Sequence, residues 1–147
     1  MSKIYVHYGS NKFDKTKFNP IQNIQGFTKP RGGLWASAVD AKYGWRDWNY
    51  DSRFVECVDS NSFKFRLKNN AKVLTICSPA VVERLPQLEE EVNKYDADIF
   101  GYHPDWEEIA RWYDAVEVYI DHVYWALYGW DCDSILVLNP DVIVPIE

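Results

Sequence analysis

Apolar and polar residues alternate in several short stretches of the chain, which is the pattern of β-strands that bury one face. The clearest stretch is 62–67, where Phe and Leu alternate with Lys and Arg. Another stretch, 134–138, is almost entirely apolar and indicates a strand buried on both faces. The pattern predicts seven strands, at 3–8, 34–37, 62–67, 71–76, 113–120, 134–138 and 142–146.

Three other segments carry sequence signals of helices. Residues recur three to four positions apart within 39–54, which predicts a helix there. A second helix is expected to begin at Ser78 and to run toward Val92, with a kink or a split at Pro86. A capping-box pattern at 105–108 predicts a third, short helix.

The order of these elements indicates the class of the fold. A turn at 69–70 separates strands 62–67 and 71–76, so we expect these two strands to form a hairpin. The predicted elements follow the order β, β, α, β, β, α, α, β, β, β. The order predicts one α+β domain over 1–147, with a mainly antiparallel sheet flanked by short helices.

Composition limits the partners of the protein. The 147 residues include 16 Lys and Arg against 22 Asp and Glu, a net charge of −6. This balance argues against a broad basic face for nucleic acid, although it leaves room for a small basic groove. Aromatic residues make up 16% of the chain and include seven Trp. They can build a core or stack on a planar ligand, and composition leaves both roles open.

The cysteines and histidines show no recognisable metal or redox motif. Cys57, Cys77 and Cys132 are isolated, so we interpret them as buried apolar thiols rather than as disulfide or zinc partners. The three histidines share no metal-ligand spacing, so no metal is expected. No apolar run is long enough for a signal peptide or a membrane span, which predicts a cytoplasmic protein with no membrane partner.

A polar stretch at 11–31 is long for a loop in a compact domain, and such loops often form lids or binding loops. It ends with Lys29 and Arg31, beside two adjacent glycines, a composition suited to an anion such as a pyrophosphate. Trp35 then offers a stacking face and Ser37 a hydroxyl. The alternative is a glycine turn that enters a strand whose tryptophan belongs to the core.

One histidine and two aspartates are further candidates for chemistry. The neutral imidazole of His7 can donate a hydrogen bond to a ribose hydroxyl or an amide carbonyl, or it can simply bond to the backbone. Asp131 and Asp133 precede the strand at 134–138, where they suit acid/base or ribose-binding roles. The alternative places both carboxylates in solvent. Which of them points inward depends on the register of the strand.

Three motifs together resemble a divergent ADP-ribosyltransferase of the His-Tyr-Glu type, as found in small bacterial or phage proteins. The first is His7 within 4–10, and the second is the glycine-led strand 33–37, with Trp35 where this class usually has Tyr. The third is Asp133, in the place of a late-strand Glu. The resemblance spans the chain in order and implies a split sheet that binds NAD across the split.

The resemblance also implies how NAD would be held as a substrate. His7 would hold the nicotinamide-side ribose or the amide, and Ser37 would support the same ribose. Trp35 would sandwich the nicotinamide ring together with an aromatic residue from the next helix, for which Tyr43 is the first candidate and Trp45 the second. The glycine-led strand that begins at Gly33 would approach the cofactor, and Lys29 or Arg31 would meet its pyrophosphate.

The chemistry implied by the resemblance depends on His7, Ser37 and Asp133 as the catalytic residues. Asp133 would bond the ribose 2′-hydroxyl and stabilise the oxocarbenium-like cation that forms as nicotinamide leaves. The acceptor of ADP-ribose would be a protein, a nucleic acid, a small molecule or water. The charge of −6 argues against the RNA 2′-phosphotransferase branch of the family.

Two departures from the family pattern predict an alternative function. Asp133 is one methylene shorter than the usual Glu, and Trp35 lacks the hydroxyl of the usual Tyr. Such changes are expected in an inactive protein that binds a partner or a nucleotide through its aromatic surface, for example a phage protein that neutralises a bacterial defence. A third interpretation is an aromatic-rich structural domain with no site.

Overall fold

The computed structural model describes residues 3–24, 27–54, 56–88, 102–123, 125–127 and 129–146. Strands dominate this part of the chain, and its helices are few and short. The strands are β1 (Tyr5–Tyr8), β2 (Leu34–Ala38), β3 (Ser62–Leu67), β4 (Val73–Ile76), β5 (Ala115–Val118), β6 (Ser134–Val137) and β7 (Ile143–Ile146). The α-helices are α1 (Trp45–Ser52), α2 (Pro79–Glu83) and α3 (Trp106–Ile109). Single 3₁₀ turns cover Lys15–Lys17, Asp59–Asn61, Ile120–His122 and Pro140–Val142.

The strands form one mixed, seven-stranded sheet in the order β4-β5-β6-β2-β1-β3-β7. The β4–β5 pair is parallel and the other five pairs are antiparallel. The α+β class and the positions of the predicted strands are therefore confirmed. The predicted hairpin of β3 with β4 is wrong, because β3 pairs with β1 and β7 whereas β4 pairs with β5 near the opposite edge.

The helix predicted within 39–54 begins later than its spacing suggests. Residues 39–44 form turns, and α1 starts at Trp45 after Gly44. The Asp47 carboxylate accepts a hydrogen bond of 2.9 Å from the Gly44 backbone N–H, which stabilises this start. The helix ends at Ser52, and the next residue, Arg53, has a left-handed φ of 54°.

The helix predicted from Ser78 toward Val92 is wrong over 84–88, because α2 ends at Glu83 and Gln87 forms an isolated β-bridge with Pro104 just after Pro86. Its remaining part, 89–92, lies outside the described residues.

The sheet buries apolar side chains on both faces. On one face, Val116 and Leu136 belong to a cluster with Trp106 and Trp130. On the other face, the core contains Phe65, together with apolar residues of β5 and β6. All four residues of β6 are buried, as the continuous apolar run at 134–138 predicts. The centre of the sheet is thus well packed on both sides.

The ladder between β1 and β2 is unusually short. It contains two residue pairs, which join Tyr5 to Ala38 and Val6 to Ser37. β1 continues along β3 as far as Tyr8, so it separates from β2 after Val6. This separation leaves an opening in the middle of the sheet, between the end of β1 and the beginning of β2.

The three cysteines are free thiols in different environments. Cys132 is buried, Cys57 is half-buried and Cys77 is exposed. The interpretation of all three as buried thiols is therefore confirmed for Cys132 but wrong for the half-buried Cys57 and for the exposed Cys77, which follows the last residue of β4.

In the described ranges, no helix combines the length and the apolar character that a membrane crossing requires.

Candidate functional site

A cavity of about 370 Å³ lies at the opening between β1 and β2. It is lined by four residues that the sequence singled out: His7 at the end of β1, Lys29 in the preceding loop, Trp35 in β2 and Trp45 at the start of α1. We call it the His7 cavity. The fold thus brings together four candidates that are up to 38 positions apart in the chain (45 minus 7).

The imidazole of His7 is fixed by the backbone of the neighbouring strand. Its Nδ1 lies 2.6 Å from the carbonyl oxygen of Trp35. Because a carbonyl oxygen only accepts hydrogen bonds, Nδ1 carries the proton and donates it. Burial lowers the pKa of His7, against a smaller opposing effect of this hydrogen bond, and so favours the neutral ring. In that state Nε2 has a free lone pair and can accept a hydrogen bond from a ligand.

The Lys29 ammonium group is held between two indole rings. Its Nζ lies 4.7 Å from the ring centroid of Trp35 and 4.6 Å from that of Trp45. Cation–π contacts of this kind contribute about 0.5–2 kcal/mol each. Burial lowers the pKa of Lys29, and the negative charge of Asp131 partly opposes this effect. Among the described residues no carboxylate forms an ion pair with Lys29, so its charge remains available to a ligand.

The two tryptophans of the His7 cavity belong to a longer row of aromatic rings. The ring centroids of Trp130 and Trp35 lie 4.7 Å apart. Trp35 meets Trp45 edge-on, with their ring centroids 6.2 Å apart. The row continues from Trp45 to Trp48 at 5.8 Å and from Trp48 to Phe54 at 5.7 Å. Packing on both sides restrains the rings, so the cavity wall is preorganised. The indole N–H of Trp45 is buried and has no partner in the described part of the chain.

Ser37 lies outside the His7 cavity and has a structural role. Its buried hydroxyl donates to the backbone carbonyl of Asp133 at 2.7 Å and accepts from the backbone N–H of Trp45 at 2.9 Å. The hydroxyl therefore joins β2 to the segment before β6 and to the first turn of α1. Both of its bonds go to main-chain groups.

Asp133 lines a different cavity, of about 480 Å³, which we call the Glu117 cavity. Its carboxylate accepts a hydrogen bond of 2.8 Å from the backbone N–H of Ile120. The Glu117 cavity and the His7 cavity share no lining residue. The structure therefore does not bring Asp133 together with His7. Asp131, the other aspartate of this segment, is exposed and acts on Lys29 electrostatically.

The other three candidates also lie outside the walls of the His7 cavity. Arg31 is exposed and pairs with Gln22 in an isolated β-bridge. The Tyr43 hydroxyl donates to Asp51 at 2.7 Å, which raises the pKa of Tyr43 to about 12. Gly33 has a φ of +69°, and a Cβ there would lie 2.6 Å from Leu136 Cδ1. Its small size therefore permits close packing of β2 on β6.

No family model, curated protein or solved structure matches the chain. Within the described ranges, no group of three or more His, Cys, Asp or Glu side chains could hold a metal ion. The assignment of the His7 cavity therefore depends on the side chains that line it.

Sequence reasoning missed several polar and aromatic residues of the cavity wall, including Asn61 just before β3. Asn49 and Phe54 come from α1 and the turn after it, and Glu56 and Cys57 from the segment that leads to β3. These residues share no spacing with the first two strands. Only the packing of α1 over β2 brings them to the opening, so no signal in the sequence indicated them.

The wall of the His7 cavity combines four chemical functions. Lys29 supplies a positive charge without an ion-pair partner in the described chain, and His7 supplies a hydrogen-bond acceptor. Trp35 and Trp45 supply apolar aromatic surface, and Glu56 supplies a carboxylate. This set suits a ligand that carries an anionic group, hydroxyls and a flat ring.

Proposed function

We propose that the His7 cavity binds NAD and that the protein is an ADP-ribosyltransferase-like enzyme acting on it. The observation that carries this proposal is the Lys29 ammonium between Trp35 and Trp45. A partly buried cation without an ion-pair partner among the described residues is a strong partner for a phosphate oxygen. The same two indoles provide the aromatic surface that a nicotinamide or adenine ring requires.

The arrangement of His7 supports the same ligand. Its Nδ1 donates to Trp35, which leaves Nε2 as an acceptor for a ribose hydroxyl. The imidazole also lies where β1 and β2 separate, so a ligand in the opening can reach both strands. A split in a mainly antiparallel sheet is what the resemblance to ADP-ribosyltransferases implies.

The volume near the opening suits a dinucleotide. The His7 cavity measures about 370 Å³, within the usual range of about 300–1,000 Å³ for ligand sites. A second cavity of about 790 Å³ is lined by Tyr50 and shares Asn49, Phe54, Glu56 and Cys57 with the first. We call it the Tyr50 cavity. Because the two adjoin, one half of NAD can occupy each.

Binding of NAD to the purified protein tests the proposal. Trp35 and Trp45 line the cavity, so we expect saturable quenching of tryptophan fluorescence as NAD is added. Lys29→Met should weaken binding by about tenfold or more, because it removes the charge but keeps an apolar stem between the indoles. Lys42→Met is the matched control, since Lys42 is exposed and lies outside the His7 cavity.

Two outcomes contradict the proposal. One is the absence of any fluorescence or melting-temperature change at millimolar NAD. The other is equal binding by wild type and Lys29→Met.

A second candidate function is an inactive module that binds a nucleotide or a protein partner. It is favoured by the positions of Ser37 and Asp133, which both bond to the backbone outside the His7 cavity. It is also favoured by Tyr50 and Phe54, which are 84% and 73% exposed beside the opening. Release of nicotinamide from NAD separates the two functions, because the inactive module releases none.

A further inference from the structure

The His7 cavity contains a carboxylate that the sequence did not indicate. Glu56 lines its wall, and no other Asp or Glu of the described chain does so. Glu56 follows α1 and precedes β3, and it shares the cavity wall with Trp45 and Asn49. An ADP-ribosyl transfer site needs an anion near the ribose, because positive charge develops there as nicotinamide leaves.

Asp133 does not meet this requirement. Its Oδ1 is held by the Ile120 backbone N–H at 2.8 Å, and its cavity shares no wall with that of His7. The main chain of Asp133 is fixed as well, because its N–H donates to the Tyr43 carbonyl at 2.8 Å and its carbonyl accepts from Ser37. Moving the carboxylate to the His7 cavity would break several of these bonds.

Glu56 differs from Asp133 in its hydrogen bonding and in the cavity that it lines. Its side chain is exposed, and its carboxylate makes no hydrogen bond or ion pair with the described residues. Glu56 also lies in the wall shared by the His7 cavity and the Tyr50 cavity. The two cavities therefore adjoin at this carboxylate.

We propose that Glu56 is the catalytic carboxylate of this site; this inference rests on the proposed function. The bond between nicotinamide and ribose C1′ breaks, and nicotinamide leaves with the bonding electron pair as a neutral molecule. Glu56 stabilises the oxocarbenium-like cation that remains. The oxygen of water or of an acceptor hydroxyl then bonds to C1′, and Glu56 accepts the proton that this oxygen loses.

The other residues of the wall complete the site around this carboxylate. Lys29 holds the pyrophosphate, and His7 Nε2 accepts from a ribose hydroxyl. Asn49 is buried, and its amide donates to the Trp45 carbonyl at 2.7 Å, which fixes this side chain against the first turn of α1. The wall of one cavity thus contains a positive group, Lys29, and a negative group, Glu56.

Steady-state release of nicotinamide from NAD tests the inference in the full chain. We compare wild type with Glu56→Gln, which removes the charge and keeps the size, and with Asp133→Asn, which does the same for the rival residue. Glu83→Gln is the control, because Glu83 lies in α2 and lines neither cavity. Fluorescence titration with NAD is carried out on each variant, so that binding and turnover are measured separately.

The expected result is a loss of roughly 100-fold or more in kcat for Glu56→Gln, with little change in the affinity for NAD. Glu83→Gln should turn over at the wild-type rate, and Asp133→Asn should lose less kcat than Glu56→Gln. Retained affinity in Glu56→Gln shows that the variant is folded.

Three results overturn the inference. Glu56→Gln with the wild-type kcat overturns it, as does a loss of kcat in Asp133→Asn that exceeds the loss in Glu56→Gln. A wild-type protein that binds NAD but releases no nicotinamide overturns the role of Glu56 and leaves NAD binding intact. If the wild type binds no NAD, the proposed function fails as well, and the titration identifies this case.

Discussion

His7 Nδ1 lies 2.6 Å from the carbonyl oxygen of Trp35, at the point where the ladder between β1 and β2 ends. The His7 side chain of β1 therefore donates to a main-chain carbonyl of β2 that lies beyond the last residue pair of the ladder. The ring also packs on Phe63 of β3, with the centroids 5.2 Å apart. The imidazole therefore packs on a core residue, Phe63, and also lines the His7 cavity.

This position gives the protein a pH-dependent stability. Burial lowers the pKa of His7, so the unfolded chain takes up a proton at a higher pH than the folded one. The stability contributed by the neutral ring is fully present above the unfolded pKa of about 6.5, and it is lost as the pH falls toward the folded pKa. His7→Phe keeps a ring against Phe63 and removes this titration. Urea denaturation at several pH values should give a steeper loss of stability on acidification in wild type than in His7→Phe, and equal slopes would contradict it.

Ser37 should contribute to stability through its two main-chain hydrogen bonds. Ser37→Ala leaves the Asp133 carbonyl and the Trp45 N–H without their partner, which should cost about 1–3 kcal/mol in the free energy of unfolding. Ser62→Ala is the control, because the Ser62 hydroxyl makes one exposed bond to the Asp59 carbonyl. Chemical denaturation measures both variants. Equal losses in the two would show that Ser37 does not act through burial.

Gly33 should tolerate a side chain less well than Gly129, which also has a positive φ. In Gly33→Ala the new Cβ would meet Leu136 Cδ1 at 2.6 Å and the Val137 carbonyl at 2.8 Å. Overpacking costs about 1–3 kcal/mol, in addition to about 1–2 kcal/mol for a left-handed residue with a Cβ. Gly129→Ala carries only the second cost, because its nearest neighbour is Thr28 Oγ1 at 3.7 Å. Thermal or urea denaturation should therefore rank Gly33→Ala as the less stable variant, and the reverse order would refute the role of packing.

Tyr5 should stabilise the protein through a hydrogen bond to Glu117. Its hydroxyl donates to Glu117 Oε2 at 3.0 Å within a buried environment, and burial followed by this carboxylate raises the pKa of Tyr5. Tyr5→Phe removes a bond to a charged group, which should cost about 1.5–3 kcal/mol. Tyr43→Phe is the control, because the Tyr43 bond to Asp51 is exposed and should contribute less than about 1 kcal/mol.

Two measurements test the role of the Tyr5 hydrogen bond. Denaturation gives the two stability changes, and the absorbance of tyrosinate during an alkaline titration reports ionisation. We expect Tyr5 to stay protonated until the protein unfolds. A Tyr5 that ionises with the exposed tyrosines would contradict the buried hydrogen bond.

The strands were predictable because their signal is local. Alternation within 62–67 predicts which residues of β3 are buried. The apolar run at 134–138 predicts that β6 is buried on both faces. Neither pattern carries information on the partner strand. The turn at 69–70 suggested a hairpin, but β3 fits between β1 and β7 whereas β4 pairs in parallel with β5. Pairing is decided by the whole sheet, which no short window contains.

The candidate site was predictable where its residues belong to a motif of the strands or the glycine loop. His7, Lys29 and Trp35 were identified in this way, and all three line one cavity. Asp133 was identified by its place before β6, yet the bond from the Ile120 N–H directs its carboxylate to the Glu117 cavity. Glu56 lies in a segment without pattern and went unnoticed.

Sequence by itself determined the α+β class, the strand positions and the unusual aromatic content, because these depend on residue types within short windows. Tertiary structure decided which strands pair, where β1 leaves β2, and which side chains face the opening. A one-residue change of register turns every side chain of a strand to the other face, so placement depends on contacts between distant segments. The positions of Asp133 and Glu56 in separate cavities follow from such contacts.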